Sequence, residues 1–326
     1  LRIMACIAAY NSPEDLGVLL NSLDRSQRTI DEVYVVDNSN ESYLHENLRL
    51  VGQYPDHFVY EVNPQRKKGC AQAFRIGMER FLVMGYDLLL LLDQDGKIQE
   101  DSIERYLDHI EEADLIVPKI RNIIPHSPYE IGLLPSKVSM LAKIDTIHAS
   151  EGDEVIGPNM GLMIHRYVVE QCMYDDDHYF VGFSDFDYGL RTRRFGYRSR
   201  YFSDIIVYHP NLSEKYPKKW SRFRDWMFGV IPFQHLGYVS RHCTYRDECD
   251  LYSRVFLTTK YFPFFVVIAN ILHTFNPLIL WYRMIRYQIA FGKTVSVYRS
   301  AIRAARVDRK TEKGKAVDHK KRGSIA

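Results

Sequence analysis

The sequence reads as an α/β protein with a mostly parallel, Rossmann-like sheet, and three observations carry this. Leu88-Leu89-Leu90-Leu91-Leu92 is apolar throughout and stops at Asp93-Gln94-Asp95-Gly96; a strand without polar alternation is buried on both faces, as parallel strands are. Strand and helix signals alternate over the first two hundred residues, the rhythm of helices covering a parallel sheet. Polar groups close successive strands at Tyr10-Asn11, Asp37-Asn38-Ser39 and Asp93/Asp95, marking a carboxyl edge of the kind where open α/β sheets bind ligands.

Ile3–Ala9 is the first strand. Asn11-Ser12-Pro13-Glu14 then supplies a cap and an early proline for a helix running to about Ser22, with Leu16, Leu19, Leu20 and Leu23 on one face. Glu32–Asp37 and His57–Val62 are the next strands. Gln65–Gly69 is a loop feeding a helix from about Ala71 to Gly85, Leu88–Leu92 is the fourth strand, Asp101 to Glu112 a helix and Leu115–Val117 a short strand. Pro125, Pro128 and Pro135 interrupt the stretch from Asn122 to Gly152, which reads as loops and short strands over the site. Regular structure resumes at Gly157–His165, with a helix near Arg166–Met173, the segment Phe180–Arg200 and a strand at Ile205–Tyr208. Beyond His209 the composition changes. This sets the expected division: a catalytic domain over 1–210 and a helical, aromatic and basic region over 211–326.

A chain of 326 residues with 46% hydrophobic and 26% charged residues can bury a core, which excludes a disordered chain. The net charge of +2 conceals an asymmetry: Arg283–Ala326 holds thirteen Lys/Arg against three Asp/Glu, leaving thirty against thirty-eight before it. An acidic body with a basic tail turns the tail toward an anionic partner, a membrane surface or a nucleic acid. Five scattered cysteines with no Cys-x-x-Cys fit reduced thiols in a cytoplasmic protein. His242, Cys243 and Cys249 have the spacing of no common zinc site. No secretory signal is expected from the residues before the first strand.

The chemistry collects at strand ends. Asp93 and Asp95 offer hard oxygen donors suited to Mg²⁺ or Mn²⁺, which commonly also binds substrate phosphates; an Asp/Gly turn is the plain alternative. Asp37 can accept hydrogen bonds from a base or ribose, and Tyr10 can stack on a base. Arg66, Lys67 and Lys68 precede Gly69, Ala71, Ala73 and Gly77 at a helix start, where basic charge and helix amides can hold phosphate. The run Phe180 to Tyr197 places Asp185 and Asp187 among aromatics. Asp187 and Arg191 fall on one helical face and are expected to pair, which leaves Asp185, at the helix mouth, able to act as a base. His209 closes the strand Ile205–Tyr208, where a neutral imidazole can complete a metal site or serve structurally.

Taken in order, Ala9-Tyr10-Asn11, Asp37, Asn63…Gly69-x-Ala71-x-Ala73-x-x-x-Gly77, Asp93-Gln94-Asp95, Gly157-Pro158-Asn159-Met160-Gly161-Leu162, Ser184-Asp185-Phe186-Asp187-Tyr188-Gly189-Leu190-Arg191 and His209 resemble the inverting family-2 glycosyltransferases of the GT-A fold. The resemblance covers about residues 1 to 210 and is greatest to bacterial galactofuranosyltransferases, with rhamnosyltransferases close behind. It implies a nucleoside-diphosphate sugar donor, UDP-galactofuranose first and dTDP-rhamnose second. Tyr10, Asn11, Asp37, Arg66, Lys68, Asp93, Asn159 and Gly161 would then lie on the donor side. Asp95 and His209, with Asp93, would hold Mn²⁺ or Mg²⁺. Asp185 would be the base, and Phe183, Ser184 and Trp220 would face the acceptor. Two positions depart from the family: Arg75 stands where Asn is common, and Ser184 where an acidic residue often precedes the base. The second removes a negative charge beside Asp185.

Tyr261–Tyr282 is long and apolar enough to approach a membrane span, but Pro263, Asn270, His273, Asn276 and Pro277 interrupt it. Trp281, Tyr282, Arg283, Arg286 and Tyr287 follow, then Arg299, Arg303 and Arg306 on one helical face. Aromatic residues beside basic ones suit a helix lying in the headgroup layer of anionic lipid, with a homodimer or core contact as the alternative. The expected setting is thus peripheral, on the inner face of the cell membrane, with a lipid-linked or oligosaccharide acceptor and no nucleic acid. Rival readings are a sugar-phosphate nucleotidyltransferase and a non-catalytic membrane adaptor. The first lacks its usual Gly-rich loop, since Tyr10-Asn11-Ser12-Pro13 follows the first strand.

Overall fold

The computed structural model describes residues 1–65, 69–122, 134–135, 150–180, 182–209, 244–261, 267–268, 271, 275, 277, 280 and 291–323. The chain divides into two compact units: residues 1–138, 146–176 and 188–212 form the first, and 139–145, 177–187 and 213–326 the second.

The first unit is built on one eight-stranded sheet in the order β3-β2-β1-β4-β9-β6-β10-β5. Its strands are β1 (Ile3–Ala9), β2 (Glu32–Asp37), β3 (Phe58–Val62), β4 (Leu88–Asp93), β5 (Lys97–Ile98), β6 (Leu115–Asn122), β9 (Leu162–His165) and β10 (Ser199–His209). A separate short pair joins β7 (Leu134–Pro135) to β8 (Val155–Ile156). The β3-β2-β1-β4 half is parallel. β9 runs antiparallel between β4 and β6, an interruption within the mostly parallel sheet that the sequence predicts. β10 is parallel to β6 with a register shift between Phe202 and Ile206, and β5 caps the edge antiparallel.

The leucine run behaves as its composition demands, since every residue from Leu88 to Leu92 is buried. All of β1 is buried too, because both sheet faces are covered. Ile3, Ala5, Ile7 and Ala9 share a core with Leu16, Leu19, Leu20 and Leu23 of α1 (Pro13–Asp24). On the opposite face Cys6 meets α3 (Gly69–Met84) so closely that a Cβ at Gly77 would lie 2.1 Å from its Sγ. Burial, with the Glu32 carboxylate adding to it, pushes the Cys6 thiol up. Among the described residues, Cys6, Cys70, Cys172 and Cys249 form no disulfide. The remaining helices of this part are α2 (Glu41–Val51), α4 (Ser102–Asp108) and α5 (Arg166–Gln171), and α6 (Ser184–Arg194) begins in the second unit and continues in the first.

The second unit contains α7 (Thr244–Tyr261) and α8 (Phe291–Gly323), which pack on each other. Leu251, Val255, Phe256 and Leu257 of α7 and Tyr298, Ala301 and Ala305 of α8 are buried. Among the described residues no helix is long and apolar enough to cross a membrane. Most of Tyr261–Tyr282 and all of Lys215–Trp226 lie outside the described residues.

Candidate active site

The carboxyl edge of the first unit brings together four of the residues expected on the donor side, Tyr10, Asn11, Asp37 and Asp93, through a backbone and amide framework. β1, β2 and β4 end side by side, with Ala9 in register with Asp37 and Ala8 with Asp93. Between the two predicted acidic positions, Gln94 reaches back to β1: its Oε1 accepts from Tyr10 N at 2.6 Å and its Nε2 donates to Tyr10 O at 2.6 Å. This reciprocal amide clamp sets the exit of β1 against the exit of β4. It leaves the Tyr10 side chain 56% exposed, available for stacking. Asn11 takes a left-handed backbone, φ 50°, which Asn tolerates better than most residues. Its amide donates to Ser39 Oγ at 2.8 Å and its Oδ1 accepts from Asn40 N at 2.8 Å, locking the first loop to the second.

Asp37 sits deeper than its place at a strand end suggests. Its side chain is 0% exposed. Oδ1 accepts from Ser39 N at 2.7 Å, and Oδ2 accepts from Asn47 Nδ2 and from the Tyr60 hydroxyl, each at 2.7 Å. Asn38 continues the framework, accepting from Asn63 Nδ2 at 2.6 Å. Asp37 therefore organises the β2 and β3 loops from beneath. Arg66, Lys67 and Lys68 lie outside the described residues, as does Trp220.

Asp95 and His209 are brought together from the β4 loop and the last residue of β10: His209 Nε2 lies 3.3 Å from Asp95 Oδ1, with both side chains mostly buried. Asp93 closes β4 and its carbonyl accepts from Gly96 N at 3.0 Å. A carboxylate and an imidazole meeting at a strand edge are metal-ligand types. Asn159 is buried, and its Oδ1 accepts from the Tyr174 hydroxyl. Gly161 is explained by packing: φ is +79°, its amide donates to Leu91 O at 2.8 Å, and a Cβ there would lie 2.7 Å from Pro118 Cγ and Val207 Cγ2.

The first turn of α6 belongs to the second unit. Phe183 precedes it with φ 70°, a left-handed conformation unusual for a bulky residue. Ser184 is buried. Asp185 Oδ1 accepts from its neighbour's amide, Phe186 N, at 2.9 Å. Burial pushes the Asp185 carboxyl up to about 6, against the lowering effect of backbone hydrogen bonds. Asp187 is 0% exposed and meets Lys260 Nζ at 3.0 Å.

Residues 4–172 match glycosyl transferase family 2. The chain belongs to that family. As a glycosyltransferase it is similar to the dTDP-rhamnosyl transferase RfbF of Shigella flexneri, with 26% identity over 217 residues, 64% of this chain and 69% of the relative. It is also similar to an undecaprenyl-phosphate mannosyltransferase of Micrococcus luteus, with 29% identity over 119 residues, 36% of this chain and only about half (47%) of that relative's length. Among solved structures, S. aureus TarS 1-349 in complex with UDP superposes with a TM-score of 0.51 at 14% identity, covering 94% of this chain and 92% of that one. That likeness establishes the GT-A fold.

Two groups of this glycosyltransferase escaped sequence reasoning. Gln94 was visible between two aspartates, but only the sheet order shows that its amide faces the β1 exit. Lys260 lies 73 residues from Asp187, beyond any local spacing. One further cluster is distinct from the Asp95/His209 pair. Among the described residues, His109, Glu151 and Asp204 form the set of three metal-ligating side chains whose ligand atoms all lie within 4.8 Å. Asp93 joins no such set. His109 Nδ1 lies 2.7 Å from Glu112 and Nε2 3.2 Å from Asp204, and the ring stacks on Phe202. Burial alone would lower its pKa, but the Glu112 and Asp204 carboxylates outweigh that and raise it, and Glu151 accepts from Ser203 N and Oγ.

Proposed function

We propose that this glycosyltransferase inverts the anomeric centre of a nucleoside-diphosphate sugar, with Asp185 as the base and a divalent ion held by Asp95 and His209 beside Asp93. The observation that carries the reading is the Asp95–His209 pair, 3.3 Å apart at the carboxyl edge of the sheet. A carboxylate–imidazole pair suits Mn²⁺ better than Mg²⁺, which favours oxygen ligands. When bound, the ion neutralises charge on the departing diphosphate. Tyr10 stacks on the base, and Asp37 acts by fixing the Asn38-Ser39 loop that lines the nucleotide. Asn11, Asn159 and Gly161 shape the same pocket, and Arg66 and Lys68 add positive charge toward the phosphates. Asp185 takes the proton from the acceptor hydroxyl as its oxygen attacks the anomeric carbon, the glycosidic bond forms and the bond to the diphosphate breaks. The raised pKa suits this work, because a base is most effective near the operating pH. Phe183, Ser184 and Trp220 contact the acceptor.

The name of the Shigella flexneri relative favours dTDP-rhamnose over UDP-galactofuranose as donor. The Micrococcus luteus relative's name and the basic tail together favour a lipid-linked acceptor, with residues 211–326 serving acceptor, anionic-membrane or dimer contacts at the cytoplasmic face. The test is a donor panel containing both sugar nucleotides, with Mn²⁺, Mg²⁺ or chelator, read as nucleoside-diphosphate release with and without polyprenyl-diphosphate-linked acceptor. Acceptor-dependent release from dTDP-rhamnose with Mn²⁺ is expected. Full turnover in chelator would remove the metal assignment, and release from UDP-galactofuranose alone would reverse the donor choice.

A further inference from the structure

We propose that Lys260 is a positioning residue for Asp185, holding the first turn of α6 through a buried charge network that Asp308 completes. The inference rests on the reading of Asp185 as the base. All of the groups involved belong to the second unit.

The chain enters α6 through Phe183 in a left-handed conformation, which a bulky side chain adopts only when its surroundings impose it. Within the turn the Asp187 amide donates to Phe183 O at 3.0 Å and the Phe186 amide donates to Asp185 Oδ1 at 2.9 Å. The Asp187 carboxylate supplies the external restraint. Its Oδ1 accepts from Lys260 Nζ at 3.0 Å, from the Tyr261 hydroxyl at 2.7 Å and from the Tyr179 hydroxyl at 3.1 Å. Lys260 is 0% exposed, and its Nζ also lies 2.6 Å from Asp308 Oδ2 of α8, with the Tyr261 and Phe256 rings 4.9 and 5.4 Å from it. A buried ammonium between two carboxylates is interdependent, because removing one charge leaves another unpaired away from water. Asp185 lies two residues before Asp187 on the same turn, so a shift of the anchor passes to the base. A misplacement of about 1 Å in a reacting group can cost about a hundredfold in rate. Asp308 comes from the helix that also carries the exposed row Arg299, Arg303 and Arg306. The C-terminal helix therefore contributes to the base-bearing turn as well as presenting a basic face.

The experiment compares Asp308→Asn, Asp308→Glu and the paired variant Lys260→Met/Asp187→Asn in the full chain. It measures kcat, donor KM and thermal melting, with turnover read well below each melting midpoint. Asp308→Asn is expected to lower kcat about ten- to a hundredfold while donor KM stays within about twofold, and Asp308→Glu to recover most of that loss. If Asp308→Asn fails to fold, the paired variant, which removes opposite buried charges together, is read in the same way. Lowered melting with kcat unchanged in the folded variants would make the network structural only and overturn the inference. Asp185→Asn is run in parallel. If it keeps full turnover, the base assignment itself fails; if it is inactive while the network variants keep kcat, only this inference fails.

Discussion

Asp185 shows how much environment decides at the level of single side chains. Its place in Ser184-Asp185-Phe186-Asp187 made it a candidate base, but only burial at the helix mouth gives it a carboxyl near 6. The consequences for rate and for stability have opposite signs. A base must be deprotonated, so kcat is expected to rise with pH through about 6, a limb that Asp185→Asn removes along with about 10²- to 10⁴-fold of rate. The folded protein also binds more protons at Asp185 than the unfolded chain does. This group's contribution to stability therefore declines as pH rises from its ordinary range through about 6. Measuring the pH–kcat profile beside the pH dependence of melting, in wild type and Asp185→Asn, checks both signs. Asp95 and His209 were legible as metal-ligand types at strand ends, and the expected outcome for His209→Ala is loss of Mn²⁺-dependent turnover, read by metal titration of diphosphate release. Asp37 was legible as a strand-end carboxylate but not as a buried one, because its burial depends on Asn47 and Tyr60 arriving from other elements.

Among elements, the strands with continuous apolar runs were the most legible. Ile3–Ala9 and Glu32–Asp37 appear with the expected bounds, since a stretch that apolar is buried best in a sheet covered on both faces. β9 was less so. Gly157–His165 looked regular, yet nothing in Leu162–His165 says that it runs antiparallel to β4 and β6; strand direction is set by the path between elements. That insertion explains Gly161. The tight entry into β9 needs a positive φ, and the space is already filled by Pro118, Val207 and Tyr106. Gly161→Ala is expected to destabilise the protein by about 2–4 kcal/mol from strain and overpacking, seen as a lower denaturant midpoint without a changed m-value. The predicted Asp187–Arg191 pairing was a local inference from helical spacing. The longer-range partner, Lys260, comes from a helix that spacing cannot bring near.

For the whole molecule, charge distribution is the property that acts at a distance. The tail from Arg283 carries a large basic excess, while the chain before it is acidic, and Arg299, Arg303 and Arg306 are exposed along α8. Their joint replacement by Gln is expected to weaken binding to vesicles rich in anionic phospholipid. Wild-type binding is expected to fall steeply with added salt, as surface electrostatics do. Co-sedimentation at low and physiological ionic strength measures both, and salt-insensitive binding would exclude the electrostatic account. Phe291 and Val307, both more than half exposed on the same helix, give that face some apolar surface to insert.

Composition and pattern were enough for the sheet-building strands, the acidic strand ends and the charged tail, because burial and repulsion act on residue types whatever their neighbours. Which groups meet was left to the folded chain. The Gln94 clamp, the direction of β9, the depth of Asp37 and the Lys260–Asp187 ion pair each join segments far apart in sequence. Such contacts depend on path and packing, and no local spacing encodes them.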